Sequence, residues 1–425
     1  MLEDLQKQEK KSSQFWAYDN QFKNKSKKNT IVLLDNVQFI YELSMAELEL
    51  QKFGVEYQKT NGLREIEVLN PSSMLKKTIL KKGSYYKYFN GDFSDYYHLI
   101  QQNQTRSVNQ YLTHWIYPYK GKFHPQMIRA LINIIGLKSG EKLLDPFAGS
   151  GTTALEAKLL GINYLGIDVS PLCALLGRVK TESFNSLLDI EELKTDVFQN
   201  ILSVLNDPKK FYQFIDSLTD CQLARDFYTI VRLVSISDFK RRRKNLGVSF
   251  LKNLDLMLTS IRALKEISES LGLDLGDTKT EIGDSRDLII SDDSIDGVIT
   301  SPPYSIALDY IQNDSHSLND LNYEISGLRE NFIGVRGVGR KKISLYNDDM
   351  KKSFSEIHRV LKPNKNAVIV IGNATFQGKQ VKTVEFTIKY MENNGFRLVR
   401  NIDKIIFGLY NVMKKENILI FKKMG

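Results

Sequence analysis

The stretch from residue 142 to residue 168, KLLDPFAGSGTTALEAKLLGINYLGID, reads as a strand, a glycine turn, a helix and a second strand. The first strand stops at Asp145, because Pro146 lacks the N–H group that a strand requires. Gly149 and Gly151 permit positive φ values and let a ligand approach bare backbone. This order of elements predicts a parallel α/β sheet with a ligand-binding turn at its edge.

The helix of this unit has recognisable start and stop signals. Thr153 and Glu156 have the spacing of a capping box, and Gly161 stands where a glycine would end the helix. A second apolar segment then predicts a strand that ends on Asp168. Because neighbouring parallel strands direct their carboxyl ends to one crevice, we expect Asp145, the glycine turn and Asp168 to converge on one ligand.

Two ligands compete for this turn. The pattern Gly149-x-Gly151-x-x-Ala154, followed by an acidic residue, also fits the dinucleotide fingerprint of NAD enzymes. A carboxylate at Asp145 would repel a pyrophosphate, whereas it would suit an ammonium group. S-adenosylmethionine carries an ammonium group, no phosphate, and ribose hydroxyls for which Asp168 is a suitable acceptor. The turn therefore favours S-adenosylmethionine, with NAD or a purely structural turn as the alternatives.

Composition restricts the class of protein further. A chain of 425 residues predicts one α/β domain with an appended or inserted domain, and a formal net charge of +9 favours a polyanionic partner. Cys173 and Cys221 are too few for a disulfide framework or a cysteine-rich metal site, and we expect no metal. No apolar run approaches a membrane span or a signal core, so we expect a cytoplasmic protein that does not contact a membrane.

The segments outside residues 142–168, the unit that we call the cradle, differ in character. Residues 1–110 combine a lysine-rich arm with a small mixed subdomain, in which a tyrosine cluster lies beside four lysines and suggests contacts with phosphates and bases. Residues 182–280 interrupt the α/β alternation and read as an insertion of amphipathic helices, for example Ile190 to Leu205 and Phe250 to Leu271. Within it lies the sharpest basic run of the chain, a candidate for phosphate binding: Lys240, Arg241, Arg242, Arg243 and Lys244.

A further helix is expected between Met127 and Ile135, just ahead of the cradle. Phe123 and His124 precede it in a loop near the mouth of the cradle. His124 has no acidic or cysteine neighbour in the sequence that would complete a metal site, so packing or hydrogen bonding is its expected role.

The α/β alternation resumes near residue 281 and reaches a strand, Ile295 to Thr300, that runs into Ser301-Pro302-Pro303-Tyr304. Two successive prolines fix the backbone and leave rigidly aimed carbonyls without local donors. The Ser301 hydroxyl and the Pro302 carbonyl are then suited to accept the two hydrogens of a nucleobase amine, with Tyr304 available to stack on the base. This arrangement predicts methyl transfer to a flipped base by placement and electrostatics, without a covalent enzyme intermediate.

These two motifs together resemble the DNA amino-methyltransferases, which methylate cytosine N4 or adenine N6 with S-adenosylmethionine. The segment DPFAGSGT at 145–152 resembles their cofactor motif, TSPPY at 300–304 their catalytic motif, and KFHP at 122–125 their preceding cofactor segment. The resemblance covers about 111–181 and 281–425, which we expect to form the catalytic domain. It implies a Rossmann-like, seven-stranded, mostly parallel sheet ending in an antiparallel hairpin. The residues that it implies for the cofactor site are Phe123, His124, Asp145, Phe147, Gly149, Gly151, Thr152, Asp168 and Asp284.

The resemblance also implies double-stranded DNA as substrate, and a cognate restriction endonuclease is a candidate partner. A serine before Pro-Pro-Tyr is more typical of the N4-cytosine enzymes, so cytosine N4 is the expected target and adenine N6 the alternative. An RNA base methyltransferase and a noncatalytic nucleic-acid-binding or NAD-binding protein stay open. Three segments are candidates for recognition of the target sequence, namely the insertion, the N-terminal subdomain and residues 311–345. The recognised sequence and the oligomeric state are not predicted.

Overall fold

The computed structural model describes residues 28–103, 107–303, 309–376, 379–405 and 415–425. The chain divides into two compact units, residues 1–101 and 102–425. The division therefore falls at residue 101, where the sequence suggested residue 110.

Over residues 28–101, the first unit contains a five-stranded antiparallel sheet in the order β2-β3-β1-β4-β5 and three α-helices. Its strands and helices are β1 Thr30–Leu33, α1 Ile40–Lys52, β2 Tyr57–Thr60, β3 Glu65–Val68, α2 Ser73–Lys82, β4 Tyr86–Phe89, β5 Asp92–Phe93 and α3 Asp95–Gln101.

The tyrosine cluster of this unit contributes mainly to its core. Tyr85, Tyr86 and Tyr96 are buried, and the hydroxyl of Tyr86 donates to the carbonyl of Ala46 at 2.6 Å. The suggestion that the cluster stacks on bases is therefore wrong for these three tyrosines. Alternating apolar residues and turn signals could not separate a buried tyrosine from an exposed one.

The second unit is organised around a seven-stranded sheet in the order β13-β14-β10-β9-β6-β7-β8. The five neighbouring strands β10, β9, β6, β7 and β8 pair in parallel, whereas β14 is antiparallel to both β10 and β13. The predicted fold class and the terminal antiparallel hairpin are thereby confirmed. The strands of this unit, including a separate two-stranded ribbon of β11 and β12, are β6 Lys142–Asp145, β7 Asn163–Asp168, β8 Thr278–Ile282, β9 Ile295–Thr300, β10 Leu361–Ile371, β11 Ala374–Phe376, β12 Lys379–Val381, β13 Phe396–Ile405 and β14 Lys415–Lys423.

Central strands of this sheet are buried on both faces, as expected for parallel strands covered by helices. Every residue of β9 is buried. At Gly297 of β9 a Cβ atom would lie 3.1 Å from Ile135 and 3.2 Å from Leu137. Helix α4 spans Pro125–Ile135, and its last residue and the chain just after it pack closely on this strand. The predicted helix ahead of the cradle is confirmed.

Helices occupy the connections between the strands. On one side, buried residues of α14 and α15 pack with apolar residues of the sheet such as Leu144, Val298 and Ile369. No helix in the described part of the chain is long and apolar enough to span a membrane. The remaining helices of the second unit are α5 Thr152–Leu159, α6 Pro171–Glu182, α7 Leu187–Glu192, α8 Lys194–Val204, α9 Pro208–Leu218, α10 Gln222–Arg242, α11 Leu246–Ser270, α12 Tyr310–Asp320, α13 Ile325–Asn331, α14 Arg340–Val360 and α15 Thr383–Asn393.

The insertion between β7 and β8 is helical, and its helices α7 to α11 share one hydrophobic cluster with α6. The single helix expected from Ile190 to Leu205 is divided into α7 and α8 at Leu193. The basic run lies at the end of a long helix, because α10 continues to Arg242 and Arg243 then adopts a left-handed conformation with φ 55°. Amphipathic periodicity identified this segment as helical but did not locate the breaks between its helices.

Candidate active site

One pocket lies at the carboxyl edge of the sheet, where β6, β7, β8 and β9 end. Residues following each of these strands line it, which brings together segments far apart in the sequence. This is the position at which open α/β sheets bind ligands. The residues that line it are Tyr119, Gly121, Phe123, Pro146, Phe147, Ala148, Gly149, Ser150, Thr152, Asp168, Val169, Gly283, Ser285, Ser301, Pro303, Tyr310, Phe332 and Ile333.

The glycine turn has the backbone that its sequence predicts. Gly149 and Gly151 have φ values of 51° and 73°, and Gly151 caps the start of α5. A Cβ atom at Gly151 would lie 3.1 Å from the Cα of Gly177 in α6, so this position requires glycine for close helix packing as well as for its φ. Nζ of the buried Lys180 donates to the Ser150 carbonyl at 2.5 Å, and this hydrogen bond fixes the turn to α6.

The predicted capping box at the start of α5 is wrong. The helix begins at Thr152 with Gly151 as its N-cap, and no side chain forms a capping hydrogen bond. The side chain of Glu156 lies in a fully buried cluster. There it accepts a hydrogen bond from the Tyr111 hydroxyl and contacts His114 Nε2 at 2.8 Å. Arg129 Nη1 lies 3.5 Å from its other oxygen. Spacing alone could not show that a tyrosine, a histidine and an arginine surround this carboxylate.

Asp168 ends β7 and lies in the pocket wall. Its Oδ2 accepts from the Gly149 N–H at 2.9 Å, and its Oδ1 accepts from the Ser170 N–H at 2.9 Å. Burial raises the pKa of this carboxyl, and the two backbone hydrogen bonds oppose that rise. Because each carboxylate oxygen can accept more than one hydrogen bond, Asp168 can hold the glycine turn and also receive ligand hydroxyls.

Asp145 lies at the end of β6 and is fully buried beneath the turn. Its Oδ1 accepts from the Thr300 hydroxyl at 2.6 Å and from the Phe147 N–H at 3.2 Å. Burial raises the pKa of this carboxyl to about 6, although the hydrogen bond from Thr300 opposes the shift. Its Oδ2 is buried without a hydrogen-bond partner among the described residues. The Thr153 hydroxyl also acts to lower the pKa of this carboxyl, and Oδ2 keeps the capacity to accept a further hydrogen bond.

The Ser-Pro-Pro segment continues from β9 into the same pocket. Ser301 and Pro303 line the pocket together with the glycine turn, which is distant from them in sequence, and Pro302 between them is buried. Tyr304, the fourth residue of the predicted catalytic group, lies outside the described residues.

Asp284 does not line the pocket, although Gly283 and Ser285 on either side of it do. Its carboxylate is paired with Arg286, with an Nη2 to Oδ2 distance of 2.6 Å. Burial acts to raise the pKa of Asp284, but the hydrogen bonds and charge of Arg286 outweigh it, so the pKa lies below its usual value. Arg286 also contacts Asp349 at 3.0 Å, which places Asp284 in a charged network beside the pocket.

Phe123 and Phe147 contribute apolar surface to the pocket, and Thr152 at the start of α5 also lines it. His124 is the N-cap residue of α4 and does not line the pocket, and its side chain makes no capping hydrogen bond. Burial lowers the pKa of this imidazole to about 3, so it is neutral at physiological pH.

Several pocket residues were not identified from the sequence. Val169, Gly283 and Ser285 adjoin residues that the motifs did indicate, so a wider window around each motif would have included them. Tyr119 and Tyr310 carry no such signal, yet their rings stack in the pocket wall with centroids 6.1 Å apart. Phe332 and Ile333 come from residues 311–345, which the sequence suggested only as a candidate for target recognition.

The basic run at the end of α10 is partly paired within the protein. Arg242 and Lys244 each contact Asp238 at 3.0 Å, and Arg241 contacts Asp314 of α12 at 3.0 Å. Lys240 and Arg243 are exposed, and neither forms an ion pair within the part of the chain that the structure describes. Phosphate binding by this run stays a prediction, which is simplest for Lys240 and Arg243, because all five cations are exposed but only these two lack an ion pair among the described residues.

Comparison with known proteins adds an independent observation. A family model described as DNA methylase, for N6 and N4 methyltransferases, matches residues 3–174. The type II methyltransferase M.MjaII of Methanocaldococcus jannaschii is 40% identical over 113 residues, which are 27% of this chain and 19% of that protein. The type II methyltransferase M.BsoBI of Geobacillus stearothermophilus is 26% identical over 348 residues, or 64% of this chain and 68% of that protein. These matches support the DNA amino-methyltransferase family for this chain.

The match to this methyltransferase family begins at residue 3, so it includes the N-terminal unit as well as the glycine turn. The two motifs alone had indicated a resemblance from residue 111 onward. A third relative, a tRNA (guanine(10)-N2)-dimethyltransferase of Methanothermobacter thermautotrophicus, is 39% identical over 51 residues, which are 12% of this chain and 15% of that protein. The chain thus spans only a small part of two of these three relatives and about two thirds of M.BsoBI.

The cofactor of these methyltransferases is S-adenosylmethionine, and the pocket contains groups of the kind that this molecule requires. Asp168 in the wall suits the ribose hydroxyls. Asp145 lies beneath the turn and is not part of the lining, and its buried Oδ2 suits the ammonium group of the methionine moiety. The absence of a Cβ atom at Gly149 leaves backbone open in the lining. The residues present therefore fit the cofactor.

Proposed function

We propose that this chain is a DNA methyltransferase that transfers the methyl group of S-adenosylmethionine to the N4 amine of a flipped cytosine. The observation that supports this most is the shared pocket, in which Ser301 lies with Gly149 and Asp168. The catalytic and cofactor motifs are far apart in the sequence, yet one cleft contains both. This is the arrangement that direct transfer from a cofactor to a base requires.

On the cofactor side, Asp145 would bind the ammonium group and Asp168 the ribose hydroxyls, while Phe123 and Phe147 supply apolar contacts. When bound, S-adenosylmethionine supplies an electrophilic methyl group on its sulfonium. The Lys180 hydrogen bond to the Ser150 carbonyl and the Gly149 hydrogen bond to Asp168 hold the turn in place before the cofactor binds. The site is therefore organised in advance.

On the substrate side, the Ser301 hydroxyl and the Pro302 carbonyl would accept the two hydrogens of the amine. Those hydrogen bonds draw the nitrogen lone pair out of the aromatic ring and direct it toward the methyl carbon. As the N–C bond forms, the bond from that carbon to sulfur would break and leave S-adenosylhomocysteine, and the amine would lose one proton to solvent. Tyr304 would stack on the base, as the sequence suggested. Since the amine of a paired base lies inside the duplex, the target must leave the stack to reach the pocket.

The choice of cytosine over adenine rests on Ser301. Within the family a serine before Pro-Pro-Tyr is more typical of N4-cytosine enzymes, and adenine N6 is the alternative. The distinction is readily measured, because N4-methylcytosine and N6-methyladenine differ in mass and chromatographic mobility.

RNA is the second candidate substrate, and one observation favours it. Two archaeal tRNA (guanine(10)-N2)-dimethyltransferases match parts of this chain, at 39% identity over 51 residues and 23% over 182 residues. These enzymes, by their names, methylate an exocyclic amine of guanine. The family match to DNA methylases makes DNA the first choice.

Lys240 and Arg243 would contact DNA phosphates, and Arg241, Arg242 and Lys244 were predicted to do so with them. The net charge of +9 supports such a partner. A cognate restriction endonuclease is a further candidate partner, and the similarity to two type II methyltransferases supports that proposal.

The test is to incubate the protein with tritiated S-adenosylmethionine and either unmethylated plasmid DNA or total tRNA, and then to digest the product and identify the modified nucleoside by mass spectrometry. We expect label in DNA as N4-methylcytosine. Label as N6-methyladenine would transfer the proposal to the alternative base. Label in tRNA alone, or none in either polymer despite cofactor binding, would refute DNA methylation.

A further inference from the structure

Arg241 belongs to the basic run, but its guanidinium faces the protein. Its Nη1 donates to the Pro118 carbonyl at 3.0 Å, and its Nη2 donates to the Asn313 carbonyl and to Asp314 Oδ1, the latter at 3.0 Å. One side chain thus joins the end of α10, the segment 117–121 and the first turns of α12. We refer to residues 117–121 as the tyrosine strap.

Other contacts close the same junction. The Tyr117 hydroxyl donates to Asp314 Oδ1 at 2.8 Å, and Lys120 Nζ donates to Asn313 Oδ1 at 2.7 Å. Asp314 is only 5% exposed, and burial raises the pKa of its carboxyl, which Tyr117 and Arg241 oppose. A carboxylate in this position needs a hydrogen-bonded cation, and Arg241 provides it.

The tyrosine strap and α12 also form part of the pocket wall. Tyr119 of the strap and Tyr310 of α12 line the pocket and stack with an interplanar angle of 22°. Gly121 lies against them, because a Cβ atom there would be 3.2 Å from the Tyr310 hydroxyl. Each ring thus belongs to a segment that Arg241 contacts. The relative position of the two rings therefore depends on the hydrogen bonds of Arg241.

We propose that Arg241 is a positioning residue that fixes the Tyr119–Tyr310 wall of the pocket, whereas Lys240 and Arg243 of the same run contact DNA. This division rests on the proposed function, because it assigns parts of one methyltransferase site. The fork of an arginine suits this position, since it can reach two carbonyls and a carboxylate together. A lysine would reach fewer of them.

The division has a consequence for binding. Lys240 and Arg243 lie on either side of Arg241 at the end of α10. Phosphates bound by these two cations would therefore restrain the helix end from which Arg241 contacts the tyrosine strap. DNA is therefore expected to strengthen cofactor binding, and cofactor to strengthen DNA binding by the same factor. Loss of Arg241 removes this coupling.

The experiment measures S-adenosylhomocysteine binding by calorimetry, with and without a mixed-sequence DNA fragment, and the salt dependence of DNA binding. Arg241→Met is compared with Lys240→Met/Arg243→Gln as the matched control. We expect Arg241→Met to weaken S-adenosylhomocysteine about tenfold, abolish the coupling and leave the salt slope unchanged. The control should lower the slope by about 2, as expected for two lost phosphate contacts, and leave cofactor affinity without DNA unchanged.

Two further variants separate positioning from a folding defect. Arg241→Lys should restore part of the affinity, because its ammonium keeps the charge beside Asp314. Arg241→Met/Asp314→Asn removes the uncompensated carboxylate, and thermal unfolding should show that it is folded while cofactor binding stays weak. The inference is overturned if this double variant binds S-adenosylhomocysteine like the wild type, or if Arg241→Met lowers the salt slope as the control does. A wild-type protein that binds no S-adenosylhomocysteine would instead refute the proposed function.

Discussion

The hydroxyl of Thr300 donates a hydrogen bond of 2.6 Å to Oδ1 of Asp145. Thr300 is the last residue of β9 and Asp145 the last of β6, so the bond joins the strand before Ser301 to the strand before the glycine turn. Both side chains are fully buried. The proposed cofactor and base sites are therefore tied to each other by a contact between neighbouring strands.

Cofactor binding should depend on the ionisation of Asp145. Its pKa is about 6 without cofactor, and an ammonium group binds the ionised form, so affinity should be constant above pH 7 and fall about tenfold per pH unit below 6. Asp145→Asn should weaken binding at pH 8 by about 10- to 100-fold, as expected for a lost charged hydrogen bond, and remove the pH dependence. Calorimetric titration with S-adenosylhomocysteine at several pH values measures both. An Asn variant with the wild-type pH profile would contradict the assignment.

The same carboxyl affects stability with the opposite trend. Its pKa is raised on folding, so its contribution to stability is fully present below the unfolded pKa near 4 and is lost as pH rises through about 6. At pH 8 without cofactor, Asp145→Asn should therefore increase the unfolding free energy, by up to about 3 kcal/mol. Chemical denaturation of both proteins at pH 8 and at pH 4.5 checks this, and most of the gain should be lost at the lower pH. A stability gain of equal size at both pH values would show that the gain does not come from the ionisation of Asp145.

Thr300→Val retains the shape of the side chain but removes the hydrogen bond to Asp145. Because that bond lowers the pKa of the carboxyl, the midpoint of the pH dependence of cofactor binding should move upward from its wild-type value. Thr300→Ser keeps the hydroxyl and is the matched control, which should keep the wild-type midpoint. An unchanged midpoint in the valine variant would show that the contact does not influence Asp145.

Ser301→Ala should reduce turnover about 100-fold or more while cofactor affinity changes less than about twofold, because the hydroxyl is proposed to act on the amine in the chemical step. Single-turnover kinetics with DNA and calorimetry with S-adenosylhomocysteine separate the two effects. Equal losses in both measurements would indicate that Ser301 holds the cofactor instead.

Asp168→Ala should weaken cofactor binding first, since it removes the proposed ribose acceptor and also the acceptor of the Gly149 N–H. We expect a loss of about 2 kcal/mol or more in binding free energy, typical of hydrogen bonds to a charged group. Asp168→Asn is the control, because its amide oxygen can still accept one of these hydrogen bonds. If the alanine variant bound S-adenosylhomocysteine as tightly as the wild type, the ribose assignment would be wrong.

The order of strands and helices in the catalytic unit could be predicted because each signal is local. Proline at 146 ends β6, and glycine at 149 and 151 makes the turn. Apolar residues mark β9, and the apolar run 367–371 marks the second half of β10. Parallel strands direct their ends to one edge, so two motifs far apart in sequence were expected to meet, and they do.

Side-chain partners were decided by contacts between distant segments. Glu156 had the spacing of a capping box, but it lies among Tyr111, His114 and Arg129. Arg241 had the appearance of a phosphate ligand, but it pairs with Asp314.

The sequence by itself determined where the chain turns and which strands carry the chemistry, since backbone preferences of proline and glycine act on their own neighbours. Only the tertiary structure decided that Tyr119 and Tyr310 stack in the pocket wall and that Thr300 donates to Asp145. Those contacts join residues with no shared pattern, and burial, which depends on the packing of the whole unit, selects the partner of each polar group.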